Sequence, residues 1–324
     1  MSLPPPPSPL PAPGRAALLA MAGLLGGCAD LVCYPEGDSL GGGVKAALPD
    51  AADLSDATSL RHYGLDAVLR LQTSEEIVEG GTWRLVDYAG LVGSAEATGA
   101  LSEYLAGIAS VDPSKLATRE ERFAYWLNAY NAWVMYAVAA SYAENPDYNV
   151  ESDGWLLFST PFIEVAGITM SPNDLEHGVL RGWADQPYAD EVAAERARQW
   201  HTELWEGEAP DARLHVGLNC ASWSCPNVPP GAFQGARLDA QLDALAIEFV
   251  DNPGKGAGPD GISTLFSWFG SDFVASFGAV EDFLVTYRTD GLDGVDSATF
   301  LPYDWSLNEA STFDAADATG GTAW

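Results

Sequence analysis

The chain has 324 residues, 47% of them apolar and 11% aromatic, enough to bury a sizeable core in one large domain or two small ones. Against 46 acidic residues stand 15 basic ones, of which only Lys45, Lys115 and Lys255 are lysines, so the formal net charge is -31. Such a surface repels phosphate backbones and anionic headgroups, which excludes nucleic-acid binding and electrostatic docking to a membrane.

In chain order, Arg15 precedes the apolar run from Ala16 to Leu25, too short to cross a bilayer but suited to the core of a signal peptide. The Leu25-Gly-Gly-Cys28 sequence that closes it is similar to a bacterial lipobox. That likeness implies cleavage before Cys28 and diacylation of its sulfur. The expectation is a signal peptide over residues 1–28, a mature chain without a transmembrane helix, and a location in the bacterial cell envelope, periplasmic or at the cell surface. Residues 29–59, rich in Gly, Ala, Asp and Pro, read as a flexible tether. Residues 60–310 read as a single α+β domain, and residues 311–324 as a disordered tail. In an oxidising compartment Cys33, Cys220 and Cys225 are an odd set, so at least one thiol stays unpaired within the monomer.

Leu65, Val68, Leu69 and Leu71 predict a helix broken by Gly80-Gly81, and Thr82 to Val86 a short strand. Leu101, Tyr104, Leu105 and Ile108 keep helical spacing up to Asp112-Pro113. Thr118-Arg-Glu-Glu121 is a capping box, and the wide apolar face from Phe123 to Val138 predicts the strongest helix, running to about Tyr142. Asn128 and Asn131 lie on one side of it and need partners if buried; tying down a loop and serving a site are both open to them. Trp155 to Phe158 and Phe162 to Thr169 read as strands. Ser171-Pro-Asn-Asp174 then starts a helix that carries Glu176, His177 and Arg181 and ends at Gly182. His62 and His201 read as surface residues. The alternation of Leu214, Val216 and Leu218 with Arg213, His215, Gly217 and Asn219 predicts a half-buried strand, which ends in a loop carrying Cys220 and Cys225. A helix follows over Gly235 to Val250, then an aromatic-rich stretch through Phe269 and Asp272-Phe273 to Tyr287. The fold class expected is α+β, helices packed on a mostly antiparallel sheet.

Five phrases, in order, carry a family likeness: Val86-Asp-Tyr-Ala-Gly-Leu91, Glu121 to Asn131, Leu175-Glu-His-Gly-Val-Leu-Arg181, Leu214 to Pro226, and Tyr303-Asp-Trp-Ser-Leu-Asn308. Together they resemble the family catalogued as domain of unknown function 547, over about Val86 to Asn308. The resemblance implies a thiol at the position of Cys220 and allows serine at that of Cys225, which favours Cys220 as the working sulfur.

A nucleophilic thiol needs a base and something to orient it. On an extended strand His215 would lie about 16 Å from Cys220, so His177 is the better base, with Asn131 or Asn128 as the orienting or oxyanion-stabilising amide. This Asn, His, Cys order differs from papain's, so kinship would require a permuted thiol-peptidase or transglutaminase-like core. The reading is a thiol-dependent hydrolase or acyl transferase acting on an amide or ester in the envelope, with no cofactor. Three other readings stay open: a noncatalytic envelope-binding module with a Cys220–Cys225 disulfide, a redox-active pair, and a zinc site from His177, His215, Cys220 and Cys225.

Overall fold

The computed structural model describes residues 60–310 apart from Glu79, Asp153, Ala184, Asp185 and Ala189. The expected signal peptide, Cys28, the tether with Cys33, and the tail lie outside the described residues. Helices dominate, and small antiparallel hairpins complete an α+β architecture.

Helix α1 (Tyr63–Gln72) runs into a hairpin of β1 (Thr73–Val78) and β2 (Gly81–Val86), paired from Thr73 opposite Val86 to Val78 opposite Gly81. The glycines expected to break the chain instead turn it, with Gly80 at φ +85°. Two helices follow, α2 (Tyr88–Gly93) and α3 (Ala95–Ala109), capped by the side chains of Asp87 and Ser94. Helix α4 (Arg119–Glu144) is the axis of the fold. Thr118 Oγ1 accepts from the Glu121 amide as expected, whereas the Glu121 carboxylate reaches the amide of Ala117 instead of that of Thr118. From Phe123 to Val138 every residue of the helix but Tyr136 is buried, Asn128 and Asn131 among them.

The predicted strand at Trp155–Phe158 is the helical turn α5 (Leu156–Ser159). The run from Phe162 to Thr169 is two strands, β3 (Ile163–Val165) and β4 (Ile168–Met170), turned at Ala166 and Gly167, both with positive φ. Next come α6 (Asp174–Leu180), a wide π-type helix, and α7 (Glu191–Trp205), which packs on both α6 and α4. Trp200 meets Trp126 with ring centroids 5.0 Å apart, and Trp205 meets Phe123 edge-on at 5.0 Å. Each such buried ring contributes about 2–3 kcal/mol of apolar burial.

The predicted strand at Arg213–Asn219 is a helical turn, α8 (Leu214–Gly217). Helix α9 (Leu238–Asp251) follows, then a short hairpin of β5 (Ala257–Gly258) and β6 (Gly261–Ile262), and helices α10 (Leu265–Trp268), α11 (Gly270–Phe277) and α12 (Val280–Tyr287). The expected sheet is therefore three separate two-stranded hairpins, among the described residues. A C-terminal strap, residues 303–310, ties distant parts together. Val86 and Ala310 exchange backbone bonds with Asn308 and Val86, while Trp223, Ser224 and Asn308 bind Ser306, Asp304 and Ala221.

Candidate functional site

Residues 217–226 form the loop that carries the sulfurs. Asn131 fixes its root by donating to the Gly217 carbonyl at 2.8 Å and accepting from the Asn219 amide at 2.9 Å. Asn128 does the same for Phe233, donating to its carbonyl and accepting from its amide, each at 2.9 Å. Both amides are thus spent on backbone groups buried away from water, which corrects the expectation of an amide beside the imidazole. Asn219 spans the loop through the Pro226 carbonyl, and its Oδ1 accepts from the Ala221 amide. Ala221, next to the first cysteine, is held at φ +66°, a conformation an alanine adopts only where its surroundings enforce it.

Cys220 and Cys225 are both free thiols, so the pairing considered from sequence is not formed. Cys225 is buried, and its sulfur accepts from the Cys220 amide at 3.0 Å. Cys220 is only partly buried and lines a cavity of about 160 Å³. Its Sγ lies 3.0 Å from Ser222 Oγ and 3.3 Å from the Tyr303 hydroxyl, which the strap delivers. Burial alone would raise the Cys220 pKa, but hydrogen bonds from Cys225, Ser222 and Tyr303 outweigh it and bring the thiol down to about 7. Burial pushes Cys225 the other way and keeps its proton on. The two sulfurs are therefore unequal, with Cys220 the ionisable one.

The same cavity is lined by Glu176, His177 and His215. Glu176 and His177 come from α6, which opens when Ser171 and Asp174 cap each other: the Ser171 amide donates to Asp174 Oδ2 at 2.9 Å and the Asp174 amide to Ser171 Oγ at 3.1 Å. Its wide turns, closed by bonds such as Arg181 N to the Glu176 carbonyl, are a feature common at functional sites. His215 was set aside for its distance from Cys220 along a strand. A helical turn rises about 1.5 Å per residue instead of 3.3 Å, and it brings His215 to the wall that Cys220 shares.

The two imidazoles differ in their protons. Arg181 Nη1 lies 3.1 Å from His177 Nδ1; a guanidinium only donates, so Nδ1 accepts and the neutral ring carries its proton on Nε2. His215 Nε2 lies 2.9 Å from Asp272 Oδ2. Burial acts to raise the Asp272 pKa, but its bonds from His215 and Arg181 hold the carboxyl well below the usual carboxylate range. The carboxylate only accepts, so His215 carries its proton on Nε2 and keeps the Nδ1 lone pair. Burial lowers both histidine pKa values and leaves both rings neutral near pH 7. Arg181 Nε lies 2.6 Å from Asp272 Oδ2, so His177, Arg181, Asp272 and His215 form one continuous chain. Phe269 is gripped between the two arms: His215 stacks on it at 4.1 Å and the Arg181 guanidinium lies 4.7 Å from its centroid. No hydrogen bond joins Cys220 to either imidazole among the described residues, and the sulfur's partners are the two hydroxyls and the Cys225 thiol.

Of the residues singled out from sequence, the structure brings Cys220, Cys225, Glu176, His177 and His215 to one cavity and places Arg181 directly behind it, with Asn128 and Asn131 holding backbone. Asp272 escaped sequence reading; the only signal was an acid set inside the aromatic run from Trp268 to Phe273. Ser222 and Tyr303 lay within phrases already noted but carried no assigned role. Lys255 was also missed: its ammonium is buried, donates to the Cys225 carbonyl and Asn227 Oδ1, and lies 4.4 Å from the Trp83 ring centroid. No group of three or more potential ligands suited to a metal ion occurs among the described residues.

Residues 113–250 match the family model described as "Protein of unknown function, DUF547". No curated protein and no solved structure matches the chain. The matched stretch contains both cysteines, both cavity histidines and Glu176, while Asp272 and Tyr303 lie beyond it.

Proposed function

From the chemistry of the cavity we propose a thiol-dependent hydrolase or acyl transferase acting on an amide or ester, since the match of residues 113–250 to the DUF547 family model brings no activity with it. One observation carries the reading: a partly exposed thiol with its pKa brought to about 7 shares a small cavity with an imidazole oriented by a carboxylate.

In this reading the Cys220 thiolate attacks the carbonyl carbon and the carbonyl electrons move to oxygen. His215, taking protons at Nδ1 while Asp272 steadies Nε2–H, accepts the thiol proton and passes it to the leaving amine or alcohol as the C–N or C–O bond breaks. Water or an acceptor nucleophile then attacks the thioester, His215 removes its proton, and the sulfur leaves as thiolate. His177, with its proton on Nε2, acts as a donor toward the developing oxyanion. The base first assigned to His177 thus becomes His215, and the oxyanion role first assigned to Asn131 or Asn128 passes to His177.

The same proposal places the mature chain at the envelope through lipid on Cys28, supported by the apolar run and the small residues before that cysteine. Expressed in a bacterial host, the protein should partition into detergent and take up labelled fatty acid. A Cys28→Ala chain that still labels would remove the anchor.

An activated ester such as a p-nitrophenyl acyl ester tests the chemistry. An acyl adduct mapping to Cys220 by mass is expected, absent in Cys220→Ser, with acylation slowed about 10²–10⁴-fold in Asp272→Asn through loss of the required tautomer. A Cys220–Cys225 bridge in the native protein, or an unaltered rate in Asp272→Asn, would overturn the reading.

A further inference from the structure

We infer that the substrate carries a positively charged ammonium group, held beside the scissile carbonyl by Glu176 and the aromatic wall of the cavity. The inference rests on the thiol reading for the position of the carbonyl, but the cation site stands on its own geometry.

Glu176 lines the cavity with its side chain 14% exposed. It makes no ion pair with a lysine or arginine among the described residues. Its nearest charged-type neighbour is His177 Nδ1 at 3.7 Å, a nitrogen whose lone pair is already engaged by Arg181, on a ring that burial keeps neutral. Arg181 itself is committed to Asp272 through two contacts, at 2.6 and 3.4 Å. Neither lysine nor arginine lines the cavity. Its one neutral partner is the Tyr130 hydroxyl, which donates to it, so a mostly buried carboxylate with no cationic side chain beside it attracts a cation.

The remaining walls suit the same partner. Trp268, Tyr303 and Trp305 cluster along one side, with Tyr303 and Trp305 centroids 4.5 Å apart and Trp268 and Tyr303 centroids 4.8 Å apart. Tyr130 also lines the cavity, as does Phe269 beside the two histidines. Ring faces attract cations through their quadrupoles, and an aromatic enclosure with one carboxylate is a common way to bind an ammonium group. A bound cation would offset Glu176 and the Cys220 thiolate together, while an anionic substrate would meet both as like charges. The molecule's net charge of -31 steers ligands in the same sense.

Charge-matched methanethiosulfonates test this on the full chain at 0.5 M salt, where distant charges are screened. The trimethylammonioethyl reagent should modify Cys220 at least about tenfold faster than the neutral hydroxyethyl reagent, and the sulfonatoethyl reagent slowest. Within Glu176→Gln that ratio should fall below about twofold, while Glu176→Asp, which keeps the charge, retains most of it. A ratio near one in the wild type, or an undiminished ratio in Glu176→Gln, overturns the inference. Should no reagent modify Cys220, the thiol reading fails separately, and tryptophan fluorescence titrated with tetramethylammonium decides the cation site. A saturable change that Glu176→Gln abolishes supports it, and no change overturns it.

Discussion

At the scale of single residues, the site depends on how one sulfur is made acidic while its neighbour is not. Three donors converge on Cys220, and each stabilises the thiolate more than the thiol. Ser222→Ala and Tyr303→Phe each remove one donor, so each should move the midpoint of Cys220 alkylation upward by about 0.5–1 pH unit, read from rates of modification across pH 5 to 10. A midpoint unchanged in both variants would mean that the hydroxyls are bystanders. Sequence reading favoured Cys220 through the loop and the family likeness, and Cys220 is the less buried of the two thiols. It could not find Asp272, because an acid's use depends on what another element brings against it, and His215 lies 57 positions away in the chain. For the same reason it misjudged His62, which is 3% exposed and lies 2.6 Å from the Tyr104 hydroxyl, well inside the fold.

At the scale of elements, burial decided what periodicity could reveal. Thr118 and Ser171 announced α4 and α6 because caps are local chemistry. The period of two at Leu214 to Leu218 failed because alternation signals a strand only when one side meets water, and here Leu214, His215, Val216, Gly217, Leu218 and Asn219 are all buried. Nothing in residue type distinguishes the wide turns of α6 from an ordinary helix. The role of Asn131 is testable at this scale. Asn131→Ala strands the Gly217 carbonyl and the Asn219 amide without partners, which should lower stability by about 2–4 kcal/mol in denaturant unfolding. A loss below about 0.5 kcal/mol would show that the loop root does not need the clamp.

At the scale of the whole molecule, strands predicted to form one sheet are three hairpins among the described residues, and order over distance comes from α4, from the strap and from the buried Arg84, which pairs with Glu75 and Glu248, each at 2.9 Å. Stability should depend on pH through groups buried without charge. Burial lowers His62 from 6.5 to about 4, so between these values the unfolded chain binds more protons than the folded one. Stability is therefore intact above pH 6.5 and falls as pH drops toward 4, by on the order of 3 kcal/mol from this residue. Comparing denaturant unfolding of the wild type and His62→Gln at pH 7 and pH 4.5 should show a smaller acid loss in the variant; equal losses would refute the assignment. The most direct measurement for the account as a whole is the pH dependence of iodoacetamide modification of the intact protein, with each modified cysteine located by mass. The account predicts that Cys220 reacts first, with a midpoint near 7. Modification of Cys225 ahead of Cys220, or a Cys220 midpoint at or above about 9, would contradict it.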